Sequence, residues 1–213
     1  MALNKSRGNM YPFVSHTWNV IKGKCPHDCS YCYMKRYKQP ELHFDEKELK
    51  TDLGSGNTIF VGSSCDMWAK CIAFTWIDRI LDHCEMYWND YLFQSKNPSR
   101  FKKLPFSSMI GTTIETDIHY EDIMANAPVP MSRYLALMQY SYPKMVSIEP
   151  IMDFNLETII HWIRDIKPEF VSIGADSGNN HLPEPSSDKV KALIEALKEF
   201  TEVKIKDNLK RLL

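Results

Sequence analysis

The chain of 213 residues reads as an α/β protein, a partial (β/α)6 barrel of TIM type with a parallel sheet and outer helices. Three observations predict this. Short buried-strand runs alternate with helical stripes about six times, the pattern of a parallel sheet wound with crossover helices. Small or polar residues follow most of the strand runs, and (β/α) barrels build their sites at that end of the strands. The length is short for a closed eight-stranded barrel, and no linker, repeat or low-complexity segment divides it, so residues 1–213 are expected to form one domain.

The elements follow in order. Residues 1–12 are polar and irregular, an arm or a cover for the barrel floor. The run from Phe13 to Ile21 is rich in β-formers and predicts strand one, and a loop with three cysteines comes next. Residues 33–37 suit a helix that must stop by Pro40, and Asp45-Glu46-Lys47-Glu48 resembles a capping box opening a short helix that ends at Gly54. Thr58-Ile59-Phe60-Val61 is a buried strand with Gly62-Ser63-Ser64-Cys65-Asp66 as its loop. Ala73, Trp76, Ile77, Ile80, Leu81, Cys84 and Trp88 recur at helical spacing and predict a long amphipathic helix. Tyr91-Leu92-Phe93-Gln94 is strand three, with Ser95-Lys96-Asn97-Pro98 after it and a basic turn over 99–103. Ser108 to Ile114 is strand four, running into Glu115, and a helix is expected over Ser132 to Tyr142. Met145 to Ile148 is strand five, ending at Glu149-Pro150. Leu156, Ile159, Ile160, Ile163 and Ile166 predict a helix stopped near Pro168. Phe170 to Ile173 is strand six, ending in Gly174-Ala175-Asp176-Ser177-Gly178. Ser187-Asp188 starts a helix whose buried face is Val190, Leu193, Ile194, Leu197 and Phe200, and Val203-Lys204-Ile205 suits a last short strand.

Hydrophobic content of 44% with 25% charged residues is ordinary for a folded protein and excludes wholesale disorder. A net charge of −1 gives no global drive toward nucleic acid or anionic membrane. No apolar run is long enough to span a bilayer, none near the start has the form of a signal peptide, and a cytoplasmic location is expected. Six cysteines in a reducing compartment then point to metal or cluster chemistry before disulfides.

Cys25-Pro26-His27-Asp28-Cys29-Ser30-Tyr31-Cys32 is the most informative stretch. Three thiols on one tight loop can hold three corners of a [4Fe–4S] cluster, which normally takes four Cys, and the fourth iron is left open to bind something reactive. The rivals are a zinc site and inert thiols. Structural zinc wants four ligands from separated pairs, and Cys65, Cys71 and Cys84 show no such spacing; His27 would have to serve as a cramped fourth ligand. The other histidines (His16, His43, His83, His119, His161 and His181) have no mutual spacing that suggests a metal.

The octapeptide resembles the C-x3-C-x-aromatic-C signature of the radical S-adenosylmethionine superfamily, with Tyr31 as the aromatic. The strings Thr17-Trp18-Asn19, Ile59-Phe60-Val61, Phe93 to Pro98, Ser147 to Pro150 and Ile173 to Gly178 extend the resemblance to a small phage-associated group of that superfamily and, more distantly, to spore photoproduct lyase. Many members of the phage group carry a longer insertion between the first two cysteines, and this chain has the compact spacing. The resemblance implies a full or partial barrel with the cluster loop after strand one. It implies Cys25, Cys29 and Cys32 as cluster ligands, and S-adenosylmethionine chelating the remaining iron through its amino and carboxylate groups. Reductive cleavage would give a 5′-deoxyadenosyl radical that abstracts a substrate hydrogen, with an electron donor of flavodoxin or ferredoxin type as partner. The leading substrate is a modified nucleobase or nucleotide, possible as free nucleotide or DNA, in isomerase or lyase chemistry such as phage thymine hypermodification, in the host cytoplasm if the chain is phage-encoded. A small amine or peptide is the rival substrate, and a zinc-stabilised nucleic-acid-binding module the rival of another class.

Carried over by position, Tyr31 and Tyr33 lie against the adenine, and Ser63 and Ser64 fall in the motif that contacts the methionine amino group. That motif's usual acidic end is missing here, although Asp66 is close. Lys96 suits a carboxylate contact, against the alternative of a rim lysine. Thr113 and Glu115 suit ribose hydroxyls, and Arg133 the cofactor carboxylate, against a plain helix-surface arginine. Glu149 and Asp176 would recognise substrate or relay protons, with helix capping as the alternative. Cys65 would donate hydrogen to a product radical, against a small buried core thiol. Lys22, Lys24, Lys35, Arg36 and Lys38, and Arg100, Lys102 and Lys103, are local basic groups that could engage phosphates or simply be solvated.

Overall fold

The computed structural model of the protein describes residues 3–6, 8 and 10–213, so residues 1, 2, 7 and 9 of the expected N-terminal arm lie outside it. An eight-stranded sheet has the order β1-β2-β5-β6-β7-β8-β9-β10. The strands are β1 (Asn4–Lys5), β2 (His16–Trp18), β5 (Thr58–Val61), β6 (Asp90–Gln94), β7 (Ser108–Thr113), β8 (Lys144–Ile148), β9 (Phe170–Ile173) and β10 (Glu202–Ile205). Every neighbouring pair from β2 to β10 is parallel; only β1 runs antiparallel, on the β2 edge. No ladder among the described residues joins β1 to β10, so the barrel is open, as expected.

The six predicted barrel strands are present, and Val203-Lys204-Ile205 is a seventh. Strand one is much shorter than the run from Phe13 to Ile21. Ile21–Lys22 (β3) instead leaves the sheet and pairs antiparallel with His43–Phe44 (β4). This hairpin presents the cysteine loop. Its neck needs Gly23, where φ is +101° and a Cβ would lie 2.4 Å from Glu41 O.

The helices are fewer and shorter than expected. They are α1 (Phe74–Glu85), α2 (Glu121–Met124), α3 (Pro130–Met138), α4 (Leu156–Ile166) and α5 (Ser187–Lys198). The capping-box segment forms only a 3-10 turn at Glu48–Lys50, and residues 33–36 another. β6 and β7 are joined by a 3-10 turn at Pro98–Arg100 and no α-helix. α1 stops at Glu85, so Trp88, which matched the helical spacing, is exposed beyond it.

Strand parity divides the interior. Ile59, Val61, Tyr91, Phe93, Ile110, Ile114, Val146, Ile148, Val171 and Ile173 point outward and pack under the helices in the main core. Phe60, Leu92, Met145 and Phe170 point inward, where Tyr11 and Val14 of the N-terminal arm cover them. Above this apolar floor the inward positions turn polar, and Tyr11 donates to Gln94 Oε1 at 2.9 Å, which in turn donates through Nε2 to Thr113 Oγ1 at 3.0 Å. Those polar positions lead to the C-terminal ends of the strands.

Candidate active site at the C-terminal mouth

The cysteine loop is a run of tight turns: Asp28 N donates to Cys25 O, Cys32 N to Cys29 O and Lys35 N to Cys32 O. Asp28 sits in the left-handed region, φ 53°, which Asp tolerates better than most side chains. The segment around α2 braces the loop from outside, through Ser30 N to Ile123 O at 2.9 Å, Asn126 N to His27 O at 3.0 Å and Cys29 Sγ to Met124 O at 3.7 Å. All six cysteines are free thiols. Burial pushes the Cys29 and Cys32 thiols up, partly offset by the positive charge of Lys96. A hydrogen bond from the Cys65 thiol holds Cys25 down to about 6 and pushes Cys65 itself up.

Among the described residues no three His, Cys, Asp or Glu side chains converge on one point as a single metal ion requires. A cubic cluster makes no such demand, because each thiolate binds its own iron. Three free thiols on one loop, with Lys96 near two of them, therefore fit a cluster better than a lone zinc. The fourth zinc ligand is also missing: His27 Nε2 is taken by Asp66 Oδ2 at 2.8 Å.

That contact is one end of a clasp which the sequence did not disclose. Asp66 also accepts from Ser95 Oγ at 2.9 Å, Lys96 N at 2.8 Å and Trp68 N at 2.9 Å. Burial would raise its carboxyl, but the His27 contact and these donors hold it below the usual carboxylate range, and the same pair raises His27 against its own burial. The cysteine loop is thus tied to the loop after β6, which carries Lys96.

Facing the thiols, three of the predicted residues meet on the carboxylate of a fourth. Glu115, fully buried, accepts from Tyr31 Oη and Lys96 Nζ on Oε1 and from Arg133 Nη1 at 2.7 Å on Oε2. Burial pushes the Glu115 carboxyl up; the charges of Arg133 and Lys96, with the hydrogen bonds from Lys96 and Tyr31, outweigh it and hold it at about 2. Lys96 Nζ also lies 5.2 Å from the Tyr31 ring centre. Nearer the cysteine loop, Tyr33 Oη donates to Ser63 O at 3.1 Å. Asn19, at the end of β2, orients the serine loop by accepting from Ser63 Oγ at 3.3 Å and Ser64 N at 2.9 Å.

No protein-family model matches the chain, and no curated protein matches its sequence. Its structure does have counterparts. A variant of spore photoproduct lyase, solved with bound AdoMet and dinucleoside spore photoproduct, superposes with a TM-score of 0.65 at 7% identity over 96% of this chain and 80% of that one. Streptococcus suis SuiB bound to precursor peptide SuiA superposes with a TM-score of 0.60 at 11% identity over 89% of this chain, which spans only 48% of SuiB. The fold is that of the radical S-adenosylmethionine enzymes.

Within that radical S-adenosylmethionine fold, several predicted residues lie elsewhere than sequence suggested. Arg133 is not at the surface and does not reach toward the mouth. It is wholly buried, donating through Nε to Pro128 O at 2.5 Å and through Nη1 to Thr113 O at 3.1 Å besides Glu115, so it props the carboxylate from behind. Thr113 sits a layer below Glu115, tied to Gln94. Both Asp176 oxygens accept within its own loop, from Gly178 N, Asn180 N and Asn180 Nδ2, so this carboxylate shapes the loop. Cys65 packs in the main core, 2% exposed, with its thiol against Cys25. Glu149 follows β8 and is paired with Lys206 at 2.7 Å. The basic groups are largely matched: Lys22 by Asp45 and Glu48, Lys24 by Glu41, Lys35 by Asp28, Lys102 by Asp78, and Arg36 by Ser177 O at 2.8 Å. Asn19, Asp66, Lys206 and Asn208 are the residues that motif reading missed.

Proposed function

We propose that the chain is a radical S-adenosylmethionine enzyme acting on a modified nucleobase or nucleotide, with isomerase or lyase chemistry. The observation that carries this reading is the meeting of three free thiols on one braced loop with the Tyr31–Lys96–Glu115–Arg133 cluster, at the strand ends of this fold. Cys25, Cys29 and Cys32 would hold a [4Fe–4S] cluster, which with S-adenosylmethionine and an external electron donor would supply radical hydrogen abstraction from the substrate.

The residues divide the remaining work. Lys96 has one face on Glu115 and the other toward the mouth at 17% side-chain exposure, where its ammonium meets the cofactor carboxylate as a point charge. Glu115 accepts three donors and so keeps capacity for one more, matching a ribose hydroxyl. Ser63 and Ser64, held by Asn19, present the loop for the methionine amino group. Tyr31 and Tyr33 wall the adenine. Clamped by these hydrogen bonds, Lys96, Glu115 and Arg133 keep their positions without reorganising when cofactor enters.

The likeness to the spore photoproduct lyase structure, whose ligand is a dinucleoside, supports the nucleotide reading. SuiB was solved with a peptide, and its lower coverage makes a peptide or small amine the second reading. Anaerobic reconstitution tests the assignment. About four irons per chain are expected, with the brown absorbance lost in Cys29→Ala. Stoichiometric zinc without iron would instead support a zinc-stabilised binding module.

A further inference from the structure

A second charged cluster gathers at the ends of β8 and β10. Glu149 follows β8 and is level with Glu115 of the neighbouring strand, since Thr113 pairs with Ser147 in the register. Lys206, just after β10, donates to Glu149 Oε2 at 2.7 Å, and Asn208 Nδ2 donates to Glu149 Oε1 at 3.2 Å and to Ala175 O at 2.7 Å. Gly174 permits the meeting: a Cβ there would lie 2.7 Å from the Glu149 carboxyl carbon and 3.0 Å from Asn208 Oδ1.

Two hydrogen-bonding valences are left over. An ammonium has three N–H groups. Among the described residues that of Lys206 meets Glu149 and the Tyr11 ring, 5.1 Å from its centre, which leaves one donor. Asn208 Oδ1 is buried and, among the described residues, accepts from nothing. An orphaned buried acceptor is costly, and a ligand N–H would satisfy it. The spare donor and the spare acceptor belong to two residues that hold one carboxylate, Lys206 on Oε2 and Asn208, through its Nδ2, on Oε1.

We propose that this cluster reads the cis-amide edge of a nucleobase lactam or imide, with Lys206 donating to the ring carbonyl and Asn208 Oδ1 accepting from the ring N–H. A six-membered lactam carries its C=O and N–H on the same edge, whereas a trans peptide bond points them to opposite sides. Glu149 is the positioning residue that keeps donor and acceptor in step. The assignment deepens the proposed function and relies on it for the substrate's place at the mouth.

Equilibrium binding to the full chain, reconstituted and loaded with S-adenosylmethionine, tests it. The probes are thymidylyl-thymidine, its analogue methylated at N3 of both bases, and triglycine. The unmethylated dinucleotide should bind about tenfold or more tightly than the methylated one, and triglycine should not saturate. Asn208→Leu should abolish the discrimination, and Lys206→Met should weaken both dinucleotides alike. The wild-type comparison stands even if a variant misfolds. Equal binding of the two dinucleotides, triglycine binding as tight as either, or no saturable binding of thymidylyl-thymidine would overturn the assignment. Failure of the radical reading would show separately, as a reconstituted cluster without 5′-deoxyadenosine.

Discussion

Glu115 carries more of the site than any other single side chain. Its carboxylate is 0% exposed and faces two cations, so replacing it leaves Arg133 buried without its partner. Removing one member of such a pair costs about 3–5 kcal/mol, and Glu115→Gln should lose stability of that order in urea melts at neutral pH. The pH dependence has a definite sign. The folded carboxyl is held at about 2, below its unfolded value of about 4.3. Its contribution is present in full above the unfolded value and is lost as pH falls toward 2. The wild-type stability curve should therefore drop through that window more steeply than that of Glu115→Gln; parallel acid limbs would contradict the pairing. At this scale the sequence was legible where strand ends announce themselves. Lys96, Glu115 and Glu149 could be placed at the mouth because each follows a buried run by one or two residues. Arg133 could not, because an arginine in a short amphipathic helix has the same local pattern whether it faces water or a buried carboxylate. The local ties of Asp176 were hidden for a similar reason: a strand-end carboxylate next to Gly178 and Asn180 can accept from its own loop.

Elements were legible where periodicity was strong and packing agreed with it. α4 and α5 lie close to their stripes because each has both an apolar face and a capping residue, Asn155 and Ser186. Asn155 Oδ1 accepts from Thr158 N at 3.0 Å, and Asn155→Ala should cost about 1 kcal/mol, seen as a lower Tm with the fold unchanged. No loss would mean that tertiary packing alone fixes the start of α4. The capping box at Asp45 nucleated no helix, because Asp45 and Glu48 are both engaged by Lys22 across the β3–β4 hairpin. The His27–Asp66 clasp belongs to this scale too, since it joins two loops distant in sequence and leaves no local signature. Asp66→Ala should free the cysteine loop and the loop after β6 together. Faster amide exchange over residues 25–32 and 95–97, with lower iron uptake, is the expected outcome; unchanged exchange in both loops would rule out the clasp.

At the scale of the molecule, alternation of strand and helix identified the parallel sheet and the end where the chemistry gathers. It did not disclose how an open barrel is completed. Tyr11 enters from the N-terminal arm to seal the floor, and Lys206 and Asn208 arrive from the C-terminal segment to finish the mouth. Those residues lie in stretches too short or too irregular for a periodic pattern, and only the assembled sheet shows where they go. The register that aligns Glu115 with Glu149 is likewise a property of pairing between strands. Central to the proposed function is that the thiol loop and the Glu115 cluster act as one cofactor site. The most direct test is 5′-deoxyadenosine formation by the anaerobically reconstituted chain with S-adenosylmethionine and dithionite. Wild-type protein should produce it in a reductant-dependent manner, and Cys29→Ala should produce none. A fully loaded cluster that yields no 5′-deoxyadenosine, or a Cys29→Ala variant that yields as much as wild type, would contradict the account.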